Sequence, residues 1–379
     1  MQINAERLSR SFVGLCEIDS PSRGEAKLAR YLRDLFSDMG AESIIEDKST
    51  HITGSDTGNI VVRFDGGCHD LQPVCFNCHL DVVNPCIGVK VRKVDGVFYS
   101  DGSTVLGGDD KAGIAVLIET LLSLQEQNIP FAPVELLFTT CEEIGLLGAK
   151  AFDPSILRSV YGYALDSTGI DNVVVGAPAS HAIVAEIHGL ASHAGLRPRH
   201  GINAIQIAAR ALADLPLGQL DDFSTANVGV ITGGTATNII PAYVRIDGEI
   251  RSHDAARLCH YLNLFRQIFA KAVDGWTDPR HLGSTRPALV FHAPEQYPVM
   301  RLSDDALPVV RAQRAAATLS RSLDFVVAGG GSDANIFNAA GIPFAILGIG
   351  MEGVHSTSEA ISLAHMIRTA ELVSSLLTC

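Results

Sequence analysis

The chain has no basic surplus. Its 29 lysines and arginines are outnumbered by 42 aspartates and glutamates, a formal charge of −13. Nucleic acid and anionic membrane surfaces both call for cationic surface, so neither is an expected partner. There is no apolar run of the roughly 18 residues that a membrane-spanning helix needs. The opening segment, Met1 to Arg10, is polar and amphipathic and lacks the basic stretch and apolar core of a secretory leader. Internal repeats, low-complexity tracts and long flexible linkers are missing too. Only 19% of residues are charged while 47% are apolar, which excludes a disordered chain. What remains is a globular protein of 379 residues, long enough for two domains and a substantial core. Eight cysteines stand at positions 16, 68, 75, 78, 86, 141, 259 and 379. Without an export signal they read as reduced thiols, and the expected location is the cytoplasm.

Periodicity gives an α/β protein. Gly24 to Met39 is helical in pattern, with Leu28, Tyr31, Leu32, Leu35 and Phe36 on one face and Gly40 as its stop. Apolar strands are expected at Asn59–Phe64, Pro73–Cys78, Val134–Thr140, Val160–Leu165 and Pro343–Leu347, with a strong helix at Ala112–Gln127. Strands alternating with helices predict a mostly parallel central sheet flanked by helices. The middle differs. Val244 to Arg251 alternates strictly, as a strand with one wet face does. With strands at Ile183–His188 and Ala226–Ile231 and helices at Ala204–Leu215 and Ala255–Val273, it reads as an inserted α+β domain on an antiparallel sheet. The expected boundaries are 1–178 for the first part of the α/β domain, 179–295 for the insert and 296–379 for the remainder, which resumes with a helix from Asp304 to Thr318.

One segment has two readings. Cys75-Phe76-Asn77-Cys78-His79 spells the C-x-x-C-H signature of c-type haem attachment. His79-Leu80-Asp81, after an apolar run, is how a carboxylate-oriented metal histidine looks. The other predicted strands help to choose. Cys141-Glu142-Glu143 follows Val134–Thr140, Asp166 follows Val160–Leu165, and a Gly-rich loop ending at His355 follows Pro343–Leu347. Gly107-Gly108-Asp109-Asp110-Lys111 directly precedes the long helix. Open α/β sheets bind ligands at the carboxyl ends of their strands. Histidines and carboxylates delivered to one rim suit a pair of zinc-like ions. The haem reading explains five contiguous residues and nothing else, and it places the motif in a strand.

Taken singly, each residue has a plainer role. His79 reads as a hydrogen-bonded core histidine, Asp109 and Asp110 as helix caps, and Glu142-Glu143 as a solvated helix start. Asp166 reads as a turn residue and His355 as part of a plain loop. His193 fits a surface loop, Arg251 a solvated salt bridge, and Gly330-Gly331-Ser332-Asp333 an ordinary turn.

Together, these segments resemble a known family. They are His79-Leu80-Asp81, Leu106 to Gly113, Glu142-Glu143-Ile144-Gly145, Asp166, Ser192-His193-Ala194-Gly195, Gly330 to Asp333, and His355. The pattern is similar to the co-catalytic dinuclear zinc exopeptidases and amidohydrolases, which include peptidase T, aminoacylase and carboxypeptidase G, and most of all to the peptidase T-like tripeptide aminopeptidases. The resemblance implies a zinc-exopeptidase-like catalytic domain and a ferredoxin-like lid or dimerisation domain. It implies two zinc ions per chain, with manganese or cobalt as substitutes. His79 and Asp166 would hold one ion, Glu143 and His355 the other, and Asp109 would bridge them. Asp81 would hydrogen-bond the far nitrogen of His79, and Glu142 would be the general base. His193 would stabilise the oxyanion, from its own chain or from the partner subunit of a homodimer formed through the insert. Asn238, Arg251, Gly331 and Ser332 would face substrate. The implied activity is hydrolysis of short peptides, with deacylation of N-acyl amino acids as the alternative at the same site. The chain departs from peptidase T in a shorter stretch between His79 and Asp109, and in Cys141 where an acid stands before the glutamate pair.

Overall fold

The computed structural model describes residues 2–278 and 280–378. Contacts divide the chain into two units, Met1–Ala177 with Met300–Cys379, and Pro178–Val299. The sequence-based boundaries fall after residues 178 and 295.

The first unit is built on a sheet of twelve strands. Its centre is parallel: Val134–Thr139, Val74–His79, Gly162–Thr168 and Phe344–Glu352 lie side by side in that order. Antiparallel strands complete both flanks. Ile60–Phe64 and Ser43–Glu46 lie beyond Val134–Thr139, while Ala360–Ser362, Val97–Tyr99 and Arg92–Val94 continue from Phe344–Glu352. Every residue of Val74–His79 and Val134–Thr139 is buried. That explains their mostly apolar sequences, in which even Asn77 and Glu135 are buried, since a parallel strand covered on both faces has no wet side to alternate with.

The helix Gly108–Glu126 packs on this sheet and is itself covered by Ala5–Cys16 and Leu363–Thr378. Covered on both sides, it is apolar around most of its circumference, with Ile114, Val116, Leu117, Ile118 and Leu121 all buried. A second cluster, including Phe152, Phe337 and Phe344, fills a separate part of this unit's core.

Three local features differ from the pattern reading. The polar N-terminal segment is a helix, Ala5–Cys16, capped by the Asn4 side chain and burying Leu8, Phe12 and Leu15. The helix expected from Asp304 starts at Leu307, with Pro308 in its first turn, where a missing N–H costs no hydrogen bond. The central helix includes Gly108, yet Asp109 and Asp110 have non-helical backbone angles. Their side chains are therefore not placed by helical geometry.

The second unit is a six-stranded antiparallel sheet ordered Gly218–Asp221, Ser224–Gly233, Tyr243–Ser252, Ala179–His188 and Ala288–His292, with Glu295–Tyr297 also on Ala179–His188. Two helices, Ala204–Asp214 and Ala255–Asp274, bury Ile207, Ala211, Phe265 and Phe269 against Ile183, Ala185, Ile187, Ile246 and Ile250. A short ribbon pairs Ser192–His193 with Ile239–Ile240. Among the described residues no helix is long and apolar enough to cross a membrane, and the seven described cysteines are all free.

The N-terminal helix is fastened by one buried ion pair. Arg7 donates from Nε to Glu119 Oε2 at 2.7 Å, and the Glu119 side chain has no exposed surface. Arg7→Ala removes the cation from that carboxylate, leaving it the Asn4 N–H and the Ser123 hydroxyl, and is expected to cost about 3 kcal/mol in urea unfolding. Arg7 also pairs with Glu126, which is 58% exposed, and Glu126→Ala is expected to cost no more than about 1 kcal/mol. Equal losses would contradict this reading of the anchor.

Candidate metal and active site

The parallel strands bring their carboxyl ends to one rim. His79 closes its strand and is paired in register with Thr139, so the Cys141–Glu143 turn runs beside it. Asp166 lies inside Gly162–Thr168, because the strand continues past the apolar run that ends at Leu165. His355 follows Phe344–Glu352 with a left-handed φ of 63°. Gly107, also left-handed at φ 75°, turns the chain into Asp109. The Asp109–Asp110 peptide bond is cis.

These segments form one cluster. His79 Nε2 is 3.0 Å from Asp109 Oδ1, and His355 Nε2 is 3.3 Å from Asp109 Oδ2 and 3.1 Å from Glu143 Oε2. Donor atoms of His79, Asp109 and Asp166 lie within 4.8 Å of one another, as do those of Asp109, Glu143 and His355. The two groups share Asp109, one oxygen to each. Glu142 joins His79 and Glu143 in a third overlapping set.

The donor chemistry fits a pair of cations. His79 Nδ1 lies 2.9 Å from the main-chain oxygen of Asp81. A carbonyl only accepts, so Nδ1 carries the proton and the Nε2 lone pair points at the Asp109 carboxylate. Two acceptors at 3.0 Å require a proton or a metal between them. Glu143 Oε1 is buried with no hydrogen-bond partner among the described residues, a further position that suits a cation. Imidazole with carboxylate is a donor set for zinc, manganese or cobalt.

The electrostatics agree. Burial pushes the carboxyls of Glu142 and Asp166 well above the ordinary range, with neighbouring carboxylates adding to the effect. Hydrogen bonds that the His355 imidazole donates to the Asp109 and Glu143 carboxylates push it up to about 10. Burial opposes a charged Asp109, yet His355 and His79 hold it below the ordinary carboxylate range. Without metal, the cluster therefore retains protons that a dication would displace.

Asp81 acts differently from the sequence expectation. Its nearer carboxylate oxygen is 3.7 Å from His79 Nδ1, and its main-chain oxygen takes that bond instead. The carboxylate is occupied elsewhere. It accepts the N–H of Glu142 at 2.9 Å, the N–H of Glu143 at 3.2 Å and the Ser22 hydroxyl at 2.6 Å. Asp81 thus orients the histidine through its backbone and the glutamate pair through its side chain.

Glu25 and Glu359 were not foreseen, and Asp333 was expected only as part of the Gly330–Asp333 segment. Glu25 is buried and accepts the N–H of Cys141 at 3.0 Å and the Ser55 hydroxyl at 2.5 Å. With Asp81 it ties down three consecutive N–H groups of a turn whose first residue, Cys141, has φ 55°. Cys141 is fully buried beside Glu25. Asp333, also buried, accepts from the Thr139 hydroxyl, and burial pushes its carboxyl up to about 6. Glu359 grips the segment before Asp109. Polar, isolated and far apart in sequence, these acids carry no periodic signal.

Ser332 is the N-cap of the helix Asp333–Ala339, in a capping box with Asn335. Its hydroxyl is engaged by the N–H of Ala334 at 3.3 Å, so the segment read as a turn is a helix start, and Gly331 leads into it. Cys75 and Cys78 are buried strand residues.

Three expected site residues lie on the second unit. His193 is exposed, and its Nδ1 accepts the N–H groups of Gly195 and Leu196 at 3.2 and 3.1 Å. That leaves Nε2 to carry the proton in the neutral ring. Asn238 adjoins it, accepting the Ala194 N–H at 2.9 Å through its main chain. Arg251 is not part of this group. It pairs with Glu249 at 3.0 Å, near the opposite end of the strand Tyr243–Ser252 from the residues beside Gly189.

Relatives share the whole chain. The Bacillus subtilis (strain 168) protein YqjE, itself uncharacterized, is 37% identical over 372 residues, covering 98% of this chain and 97% of its own. The crystal structure of a tripeptidase from Staphylococcus aureus subsp. aureus Mu50 superposes with a TM-score of 0.91 at 35% identity, covering 100% of this chain and 99% of that one. That of aminopeptidase PepT from Bacillus cereus ATCC 10987 gives a TM-score of 0.88 at 36% identity, covering 99% and 98%. The model of peptidase family M20/M25/M40 matches residues 75–378, and on that match and these identities the chain belongs to this metal-dependent peptidase family.

Proposed function

We propose that this protein is an aminopeptidase that cleaves short unblocked peptides, tripeptides foremost, using two zinc-class ions. The observation that carries the reading is the Asp109 carboxylate, with one oxygen directed to His79 and the other to His355. The substrate class is suggested by the activities named for the Staphylococcus and Bacillus cereus proteins. His79 and Asp166 would hold one ion, Glu143 and His355 the other, and Asp109 both. Such a pair lowers the pKa of a water and polarises the scissile carbonyl.

The chain's own groups do the rest. Glu142, set beside Glu143 by the Asp81 and Glu25 clamps, is the base that takes the water's proton and passes it to the leaving amine. Burial, with the neighbouring carboxylates adding to it, makes it a stronger base than an exposed glutamate. His193, on the second unit, would supply Nε2–H as a donor for the developing oxyanion, from its own chain or from the partner subunit.

A homodimer through the second unit is part of the proposal. Gly218–Asp221 covers only Ser224 to Ala226 of its neighbouring strand. The rest of that strand is an edge carrying Val230 and Ile231, 54% and 56% exposed. An open apolar edge is a template for pairing with another strand.

Four outcomes are expected. Purified protein should release the N-terminal residue of unblocked tripeptides, lose activity with a chelator and regain it with zinc, manganese or cobalt. Cleavage of N-acetyl amino acids alone would overturn the aminopeptidase reading. Glu142→Ala should keep its metal and lose about 10²–10⁴-fold in kcat/KM; near-normal turnover would remove Glu142 from the role of base. Metal loading should depend on pH. His355, protonated below about 10 without metal, must become neutral to bind an ion, so loading at pH 7 expels a proton and affinity falls as pH falls. Calorimetry in buffers of different ionisation heat should show at least one proton released per chain, and none released would contradict the assignment. Light scattering should give a dimer mass that Ile231→Lys reduces to a monomer; a monomeric wild type would remove the edge from the proposal.

A further inference from the structure

We propose that Glu359 is a positioning residue whose carboxylate fixes the backbone before Asp109, so that Asp109 can span two cations. This rests on the dinuclear reading above and adds the group that sets the geometry of its shared ligand.

Glu359 is 2% exposed. Its Oε2 accepts the N–H groups of Leu106 and Gly107, each at 2.9 Å, and its Oε1 accepts the N–H of Asp109, also at 2.9 Å. Three donors from four successive residues converge on one carboxylate. Such a nest of N–H groups usually recognises a bound anion, and here the chain supplies the anion itself. Hydrogen bonds to an ionised acceptor are roughly twice as strong as neutral ones. The grip passes over Gly108, where a Cβ would lie 2.9 Å from Oε1. Gly107 thus supplies the left-handed φ and Gly108 the room for the close approach of the carboxylate.

The placement links two ligands. Glu359 stands four residues after His355, and the loop that carries both turns back on the Asp109 segment. The same short stretch therefore delivers the histidine and fixes the backbone of its carboxylate partner, 3.3 Å away. Because Asp109 and Asp110 are non-helical, the helix that follows does not set the direction of the Asp109 side chain. The Glu359 grip on the Asp109 N–H is a contact that holds this backbone in place. A glutamine could not replace it. It keeps one good acceptor and turns an NH₂ toward backbone N–H donors, so one side of the grip is lost.

The test measures metal binding directly. Zinc affinity is obtained by competition with a chromophoric chelator, and the geometry of the pair from the visible absorption of the cobalt-loaded protein. Glu359→Gln is expected to weaken zinc binding about 10–100-fold and to change the cobalt spectrum. Gly108→Ala keeps every charge and presses on the same oxygen. It should move both readouts in the same direction, and it decides the question if Glu359→Gln does not fold. Glu135→Gln is the control for general destabilisation. Glu135 is also buried and accepts the N–H groups of Arg158 and Ser159 as well as Nε of Arg63, but it lies in the strand Val134–Thr139 away from the rim. It should lower the unfolding midpoint and leave zinc affinity and the cobalt spectrum at wild-type values. Wild-type affinity and spectrum in both Glu359→Gln and Gly108→Ala would overturn the proposal, as would an equal loss of affinity in Glu135→Gln. A wild-type protein that binds no zinc pair would instead refute the dinuclear reading.

Discussion

The Asp109 carboxylate faces His79 through one oxygen and His355 through the other, at 3.0 and 3.3 Å. One of those histidines closes a strand and the other sits in the loop after a strand far along the chain. A group in that position is stable only if positive charge lies on both sides, as protons or as metal ions. The parallel centre of the sheet, the left-handed Gly107 and the non-helical start of the long helix all bear on where this one side chain can point. Such an arrangement concentrates negative charge in a buried place, and the protein supports it with backbone N–H groups more than with cations.

That support has a common form. Asp81, Glu25 and Glu359 are buried acids whose carboxylates are taken up by main-chain N–H groups of the segments that carry Glu142, Glu143 and Asp109. Each replaces solvent as the partner of an otherwise unsatisfied donor. The effect is to tie loop backbones down through hydrogen bonds to buried carboxylates. Site side chains on loops then need little reorganisation when a substrate arrives, the condition under which preorganised electrostatics contributes most to rate.

The sequence made part of this legible. Val74–His79 and Val134–Thr139 are buried on both faces, so they appear as largely apolar runs, and the polar residues that gather where the runs end are the ones at the rim. His79, Glu142, Glu143 and His355 could be placed in that way. The alternation of Val244 to Arg251 likewise marks a sheet with one wet face. What stayed hidden depends on pairings distant in the chain. Glu25 and Glu359 look like ordinary surface acids until the residues 116 and 252 positions away are seen to point N–H groups at them. Asp81 was recognised, but its carboxylate and its carbonyl exchange the expected tasks, a distinction no spacing encodes. The N-terminal helix was unread because its polar face outweighs Leu8, Phe12 and Leu15 in a short segment.

The central claim is that Asp109 joins two ions. A crystal of the zinc-loaded protein, measured at the zinc absorption edge, tests it most directly. The account predicts two anomalous peaks about 3.5–4 Å apart, one bonded to His79 and Asp166, the other to Glu143 and His355, with one Asp109 oxygen on each. A single peak, or two peaks with both Asp109 oxygens on the same ion, would contradict it.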